Sequence, residues 1–280
     1  MDKRYGESLD DWTKQTPKSP KKDSNQTSVA DVMYTEASRL NSEKRYKEAL
    51  TLINVAIEHN ETNFEYYTKK GTVLENLNRF SESYECYMKA LELEENDNTK
   101  EQLARMLYKW ANSLNDKEKA LELIEEAILI LPETCRDTYH ERFWYLKGSI
   151  LDCLSRPIDS RRSYLIAEGM TDEIKELDRQ VEFLKTSKET LINITGTRFY
   201  FGLEPFKKGM VVNLIRETDN EHDPDAIRVE FEGETVGYVA NNDYTLIENV
   251  KSASEIRKME NDKAEVVLVY LDEYVIAKLI

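Results

Sequence analysis

Length, composition and charge exclude several classes of protein. The chain has 280 residues, of which 40% are hydrophobic, and a formal net charge of −15 at pH 7. This apolar content suffices for the core of one large domain or two ordinary ones. The acidic charge weakens non-specific attachment to nucleic acid, because Lys and Arg contacts to phosphates supply most of that affinity. Any nucleic-acid site must therefore be small and local.

Membrane, secreted and catalytic classes are not indicated by the motifs. The longest apolar runs, such as 266–271, are far shorter than the roughly 20 residues that cross a bilayer, and the N-terminal residues contain no hydrophobic signal core. We therefore expect a cytoplasmic protein with no membrane partner. The three cysteines stand far apart, and the three histidines have no metal or triad spacing. We predict no enzyme, metal site or cofactor.

Residues 1–28 differ in composition from the rest of the chain. They are rich in Lys, Ser, Thr and Pro and contain few aliphatic residues. Such a segment buries too little apolar surface to offset the entropy lost on ordering. The composition predicts a disordered tail.

A 34-residue repeat follows the tail. Small residues let the two helices of a hairpin approach closely, and large residues fill the gap to the next hairpin. Six such positions recur at a constant offset: Ala37, Leu40, Tyr46, Ala49, Ile53 and Ala56 are followed by Gly71, Leu74, Phe80, Ser83, Tyr87 and Ala90. The pattern resembles the tetratricopeptide repeat. Later matches, including Trp144, Gly148 and Tyr164, extend it to four repeats near 30–63, 64–97, 101–134 and 141–174.

The resemblance implies an N-terminal α-solenoid domain over residues 29–190, in which a helix at 172–188 shields the last apolar face. The first helix of each repeat would line a groove that binds a protein or peptide partner. In the third and fourth repeats the groove positions form a basic and aromatic strip that suits a peptide carboxylate or an acidic segment. Charges paired in solvent are the alternative interpretation. The strip consists of Arg105, Lys109, Asn112, Arg142 and Tyr145.

After Thr190 the hydrophobic period changes from 3.6 to 2, which indicates strands. The strands are predicted in the segments 192–196, 210–217, 226–233, 234–240, 264–271 and 273–280, with hairpin turns at 232–234 and 271–273. Residues 241–261 have helical spacing. We expect a multidomain α + β chain in which 191–280 form a small β-barrel with one or two short helices, because closure removes edge strands.

The segment ETDNEHDPDAIRV, residues 217–229, allows two interpretations from its residues. Alternate acidic positions resemble a calcium loop, but Pro224 occupies the sixth loop position, where the sharp turn normally needs Gly, and the flanks are strands. The other interpretation is a turn in which Asp and Asn side chains bind nearby backbone amides and Pro fixes φ.

This segment, together with GTRFYFG (196–202), the Gly233 turn and VGYVANN (236–242), resembles the HIRAN domain, a barrel related to the oligonucleotide-binding fold. In the helicase-like transcription factor, a member of that family, the domain captures the free 3′ end of single-stranded DNA. The resemblance implies that Arg198 contacts phosphate, Phe199 and Tyr200 contact bases, and Asp223 accepts the terminal hydroxyl. Asn220, His222 and Tyr238 would line the same pocket.

Two functions follow from these resemblances. The favoured one is a non-catalytic adaptor in which the repeats bind a protein and the barrel binds nucleic acid, with single-stranded DNA 3′ ends as the ligand, in DNA repair or processing. The alternative is a scaffold for protein–protein interaction whose barrel does not bind DNA.

Overall fold

The structure, a computed structural model, describes residues 28–270 and 274–280. Its contacts separate two compact units, Met1–Thr99 and Lys100–Ile280. The predicted tail lies outside the described residues except for Ser28, and so does the predicted turn at 271–273. Within the described part of the chain, no helix is long and apolar enough to cross a membrane.

Helices fill the first part of the described chain, as the repeat predicts. Four of them begin after a polar residue whose side chain accepts a backbone N–H, namely Ser28, Asn63, Asn96 and Asp116. The helices are α1 (Val29–Ser42), α2 (Tyr46–His59), α3 (Phe64–Asn76), α4 (Phe80–Leu93), α5 (Asp97–Ser113), α6 (Lys117–Ile130), α7 (Arg136–Cys153), α8 (Pro157–Ala167) and α9 (Thr171–Thr186).

The turns inside three hairpins share one construction. The first helix ends with a residue in the left-handed region: Lys44, Asn78 or Ser155, with φ of 63°, 57° and 56°. The next residue is an Arg whose N–H donates back to a carbonyl of the last helical turn, at 2.9 to 3.0 Å. Its guanidinium then pairs with an acid three residues onward, in the pairs Arg45–Glu48, Arg79–Glu82 and Arg156–Asp159.

The small residues of the repeat lie where the helices of a hairpin touch. A Cβ on Gly71 would stand 3.0 Å from the ring of Tyr87, and one on Gly148 only 2.5 Å from the ring of Tyr164. A serine of the second helix donates to the glycine carbonyl in both hairpins, Ser83 to Gly71 at 2.8 Å and Ser160 to Gly148 at 3.0 Å. The predicted close approach of the two helices at a small residue is confirmed at both hairpins. The large residues Tyr87 and Tyr164, expected to fill the gap to the next hairpin, pack instead on the glycine of their own hairpin.

The rest of the chain forms a closed barrel of six described strands in the order β1-β4-β3-β2-β5-β6, and every neighbouring pair is antiparallel. Valine, isoleucine, leucine and alanine side chains from alternate positions fill its interior. The strands are β1 (Leu191–Thr195), β2 (Val211–Arg216), β3 (Ile227–Phe231), β4 (Glu234–Val239), β5 (Lys263–Tyr270) and β6 (Tyr274–Leu279). The predicted fold class, helical repeats followed by a small barrel, is confirmed.

Two glycines shape β4. The hairpin from β3 has a two-residue loop in which Glu232 and Gly233 both have positive φ, 52° and 88°, as a type I′ turn requires. Gly237 lies inside the strand, where a Cβ would stand 2.8 Å from the carbonyl oxygen of Thr195 and 2.8 Å from Ile194. The backbone of β1 therefore leaves no room for a side chain at Gly237.

Residues 241–261 contain a short helix, as predicted, but most of the segment is not helical although its spacing is. They contain one helix of four residues, α10 (Ala253–Ile256), which begins with a capping box formed by Ser252 and Glu255. Before it, the side chain of Asn242 accepts from the N–H groups of Tyr244 and Thr245, both at 3.1 Å. These bonds satisfy the backbone locally in a turn, and the apolar residues that suggested a helix pack elsewhere.

Those apolar residues pack on the last helices. One buried cluster joins α8 and α9 to the barrel, so α9 shields the preceding hairpin and also packs on the strands. The change from helix to strand falls where the sequence places it, between Thr186 and Leu191. The domain division at residue 190 stays a prediction. The cluster consists of Leu165, Leu177, Leu184, Leu191, Ile247, Val250 and Ile276.

Candidate nucleic-acid interface

Three consecutive aromatic residues stand in solvent on the loop after β1. Gly196, with φ of 72°, turns the chain into a short 3-10 helix, Thr197–Phe199. The exposed fractions of Phe199, Tyr200 and Phe201 are 74%, 41% and 53%. In a strand, side chains alternate between the two faces, and at least one of the three would be buried. The loop conformation instead places all three at the surface.

Arg198 lies on the same loop. Its guanidinium carbon is 4.9 Å from the centre of the Phe199 ring, a cation–π contact. Among the described residues it has no carboxylate partner, so the ordinary explanation of an exposed arginine, a surface ion pair, does not apply to it. The guanidinium is available to an added anion.

Tyr200 packs against Tyr238 on β4. Their ring centres are 6.4 Å apart with a 38° tilt. Burial, and then the neighbouring Tyr200 and Glu217, raises the pKa of Tyr238 to about 12. Tyr238 therefore remains a neutral hydrogen-bonding group at any physiological pH.

Glu217 connects Tyr238 to the loop after β2. Its carboxylate accepts from Arg228 Nε at 2.7 Å, from Asn220 Nδ2 at 2.8 Å and from the hydroxyl of Tyr238 at 3.5 Å. Arg228 also donates to Glu230 and, at 3.2 Å, to Thr235. Sequence reasoning did not select Glu217 or Arg228, because their role depends on which strands become neighbours.

The loop from 217 to 226 is a turn held by its own side chains. Asn220 Oδ1 accepts from the N–H groups of His222 at 2.9 Å and Asp223 at 3.0 Å, and Asp223 Oδ1 accepts from the N–H of Asp225 at 2.9 Å. These are the contacts of the turn interpretation. Among the described residues, no group of three or more His, Cys, Asp or Glu side chains is placed to hold a metal ion.

Asp223 is tied to the loop after β4 as well. Its Oδ2 accepts from Asn241 Nδ2 at 2.9 Å, and Asn241 Oδ1 accepts from Ser254. The hydroxyl of Ser254 lies 2.7 Å from Asp225, which pairs with Arg257 at 3.3 Å. Asn241 stands in the VGYVANN segment, yet nothing in the segment indicated its partner.

The structure thus connects most of the selected barrel residues. Tyr200, Tyr238, Asn220 and Asp223 belong to one chain of contacts through Glu217, and Arg198 and Phe199 lie on the loop that carries Tyr200. His222 is exposed at the tip of the turn, where its backbone N–H donates to Asn220 Oδ1.

All five residues of the predicted groove strip are exposed. Arg105 lies 5.8 Å from the Tyr139 ring centre and 4.0 Å from Glu101, and the hydroxyl of Tyr145 donates to Glu168 at 3.0 Å. Arg142 has no hydrogen bond or ion pair among the described residues. The other members are Lys109 on α5, with a described partner of its own, and Asn112 near the end of that helix.

Comparison with known families agrees with this architecture. Residues 188–256 match the family model described as HIRAN domain, and residues 64–97 match a tetratricopeptide repeat. The chain carries a tetratricopeptide repeat followed by a HIRAN domain. The HIRAN match covers β1 to α10 and ends before β5 and β6. Domains of both kinds are generally non-catalytic binding modules; the repeats suggest a protein-interaction scaffold and the HIRAN domain suggests nucleic-acid binding.

Individual relatives are similar over part of the chain. The "DnaJ protein P58IPK homolog" of Arabidopsis thaliana is 30% identical over an alignment of 112 residues that covers 37% of this chain and 23% of that protein. The chain therefore matches under a quarter of that relative. Among solved structures, MamA 41-end from Desulfovibrio magneticus RS-1 is 18% identical with a TM-score of 0.37, over 59% of this chain and 99% of that one. A second, MamA MSR-1 C2, is 13% identical with a TM-score of 0.39, over 57% and 82%.

Proposed function

We propose that the protein is a non-catalytic adaptor whose repeats hold a protein partner and whose HIRAN domain binds the 3′ end of single-stranded DNA, in DNA repair or processing. One observation carries the proposal. The loop after β1 presents three exposed aromatic residues and an arginine without an acidic partner, beside a tyrosine pair that is anchored to the Asp223 turn.

Each group has a distinct task in this proposal. Phe199 and Tyr200 stack on bases, which contributes about 1–3 kcal/mol per base and tolerates any sequence. Arg198 pairs with a phosphate beside them. Because single contacts of this kind need no extended basic surface, they are compatible with a chain of net charge −15.

Asp223 supplies the preference for an end. Each oxygen of its carboxylate already accepts one hydrogen bond from the protein, Oδ1 from the N–H of Asp225 and Oδ2 from Asn241 Nδ2. These bonds fix the carboxylate and leave a lone pair on each oxygen. A carboxylate accepts a hydrogen bond from a free 3′ hydroxyl and repels a 3′ phosphate. His222, at the tip of this turn, and Asn220, at its base, border the terminal nucleotide.

The test uses the full chain and fluorescence anisotropy with oligonucleotides that end in a 3′ hydroxyl or a 3′ phosphate. We expect the hydroxyl end to bind about ten-fold more tightly, the size of one hydrogen bond to a charged group. Asp223→Asn should remove the preference, and Arg198→Ala should weaken both oligonucleotides. Asp219→Asn, an exposed acid in the same loop, is the matched control. Equal binding of both ends would refute end recognition.

The alternative is a protein-interaction scaffold in which the HIRAN domain binds no DNA. Absence of binding to either oligonucleotide, at low salt and with an intact fold, would favour it. The acidic net charge of the chain is the observation that favours this alternative, because it weakens binding to phosphates.

For the repeats we propose that the strip of Arg105, Lys109, Asn112, Arg142 and Tyr145 holds an acidic segment or a C-terminal carboxylate of the partner. The exposed, unpaired guanidinium of Arg142 supports this role. Replacing Arg105 and Arg142 by Glu should abolish capture of a partner that the wild-type chain binds, whereas Lys175→Glu, on the exposed face of α9, should not. Undiminished capture by the double variant would exclude the strip as the binding surface.

A further inference from the structure

A cleft lies beside the HIRAN domain, within the compact unit Lys100–Ile280. The start of α8, the end of α9 and the loop after β4 enclose a cavity of about 280 Å³. Ile158, Val181 and Leu246 form its apolar walls. A cavity of this size, with apolar walls and a charged rim, has the general character of a ligand site.

Side chains of both charges line the rim of the cleft. Arg156, Arg162 and Lys185 line it, against Asp159 and Glu248, so the lining carries three cations and two anions. Arg156 pairs with Asp159 at 2.7 Å, and Arg162 pairs with Asp178 outside the cleft. Lys185 is exposed and has no ion pair among the described residues. The cleft therefore offers at least one uncommitted cation to an anionic ligand.

A short, structured loop joins the cleft to the candidate DNA site. It begins at Asn241, which binds Asp223 at 2.9 Å, and it reaches the cleft at Leu246, whose N–H donates to the Asn242 carbonyl at 2.9 Å. Five residues span at most about 17 Å when fully extended, and the turn shortens this distance. The two sites are therefore neighbours.

Tyr244 stands on that loop between the two sites. It is 86% exposed, although the Asn242 side chain holds its backbone in place through the bond to its N–H. An aromatic ring held in solvent on a fixed turn contributes nothing to the core. Such a ring is suited to stack on a base.

We infer that Tyr244 and the cleft extend the DNA site, so that a strand whose 3′ end lies at Asp223 stacks a further base on Tyr244 and places a phosphate against Lys185. This inference rests on the proposed function. Barrels of the oligonucleotide-binding type cover about 4–16 nucleotides, which is more than a terminal pocket alone can hold. The last helical hairpin is then part of the nucleic-acid surface.

The experiment measures the fluorescence anisotropy of two oligonucleotides on binding to the full chain. They share a 3′ end and have about 4 and about 12 nucleotides, both lengths within that range. The longer one should bind more tightly and with a steeper salt dependence, by about 0.7 in slope for each added phosphate contact. Lys185→Glu should remove that gain and leave the short oligonucleotide unaffected. Tyr244→Ala should weaken the long one roughly ten-fold, as expected for one stacked base.

Lys263→Glu, the same charge change on β5 away from the cleft, is the control. Equal effects of Lys185→Glu and Lys263→Glu on the long oligonucleotide, or no gain with length, would overturn the extension while the end site stands. If neither oligonucleotide binds the wild-type chain, the proposed function fails and the extension with it. Binding of the long strand that ignores Arg198→Ala and Asp223→Asn would overturn the claim that both form one site.

Discussion

The helical repeats and the barrel both contain glycines at crowded positions, but different atoms crowd them. In the repeats the neighbour of Gly71 and Gly148 is a tyrosine ring, at 3.0 and 2.5 Å from the position of a Cβ. In the barrel the neighbour of Gly237 is the carbonyl oxygen of Thr195, at 2.8 Å. A side chain can rotate away, whereas a strand carbonyl is held by the sheet. Glycines that look alike in a sequence motif therefore differ in how strictly they are required.

The largest effect is expected for Gly237→Ala. The added methyl group must push β1 away from β4, and overpacking of this kind typically costs 1–3 kcal/mol, so we expect a loss of about 3 kcal/mol in the free energy of unfolding. Denaturant unfolding of the full chain, followed by circular dichroism, measures it. Glu234→Ala, an exposed change on the same strand, is the control. A loss as small as that of the control would contradict the distinction between backbone and side-chain neighbours.

Gly148→Ala should have an intermediate effect. Overpacking against Tyr164 destabilises, whereas Ala is favoured over Gly in a helix by about 1 kcal/mol, so the expected net loss is about 1–2 kcal/mol. Tryptophan fluorescence can follow it, because Trp144 lies one turn earlier on α7. Ser149→Ala, at an exposed position of the same helix, is the control, because it reports helix propensity alone. If the tyrosine is the cause, the loss should disappear in the background of Tyr164→Leu.

The loss of stability at alkaline pH should involve one tyrosine in each of the same two regions. Burial, then the hydrogen bond to Asp152, raises the pKa of Tyr164 to about 12, and burial first raises that of Tyr238 to about 12. The unfolded chain loses these protons near pH 10, two units earlier. Stability should therefore be full below about pH 10 and fall between about pH 10 and 12. The denaturant midpoint measured as a function of pH reports this decline, and Tyr164→Phe and Tyr238→Phe should each make it less steep. An unchanged decline in both variants would show that these two tyrosines are not its cause.

Gly71→Ala should have the smallest effect. At 3.0 Å the ring of Tyr87 needs to move by a few tenths of an ångström, and the gain in helix propensity offsets that cost. We expect a change within about 0.5 kcal/mol of zero. A loss as large as that of Gly148→Ala would show that the half-ångström difference between the two hairpins is without consequence.

Much of the fold was predictable because it depends on local periodicity. Repeat positions 34 residues apart located the helices and the small residues Gly71 and Gly148 at which they touch, and the change to a period of two located the six described strands. The contacts of these glycines with Tyr87 and Tyr164 were not predicted. The segment 241–261 was misleading because Asn242 closes a turn and Leu246 and Ile247 pack on the last helices. Helical spacing of apolar residues cannot reveal that their burial surface belongs to another part of the chain.

The candidate site was predictable residue by residue but not as a network. Resemblance to a motif selected Arg198, Asp223 and Tyr238, and it missed Glu217, Asn241 and Tyr244. Glu217 matters because β3 and β4 bring Arg228 and Tyr238 to it, and Asn241 matters because its loop closes on Asp223. These contacts join residues far apart in the chain, and no local pattern encodes them.

By itself the sequence determined the order of helical repeats and barrel, the small residues at which the helices of a hairpin touch, and the turn at 217–226, because each depends on neighbours within one repeat or one loop. Only the tertiary structure decided that α9 shares its apolar face with the barrel, that the exposed aromatic residues border the Asp223 turn, and that a cleft with Lys185 on its rim lies one short loop away from that turn. Those features arise because segments distant in sequence become neighbours, and which segments bury which apolar surface depends on the packing of the whole domain.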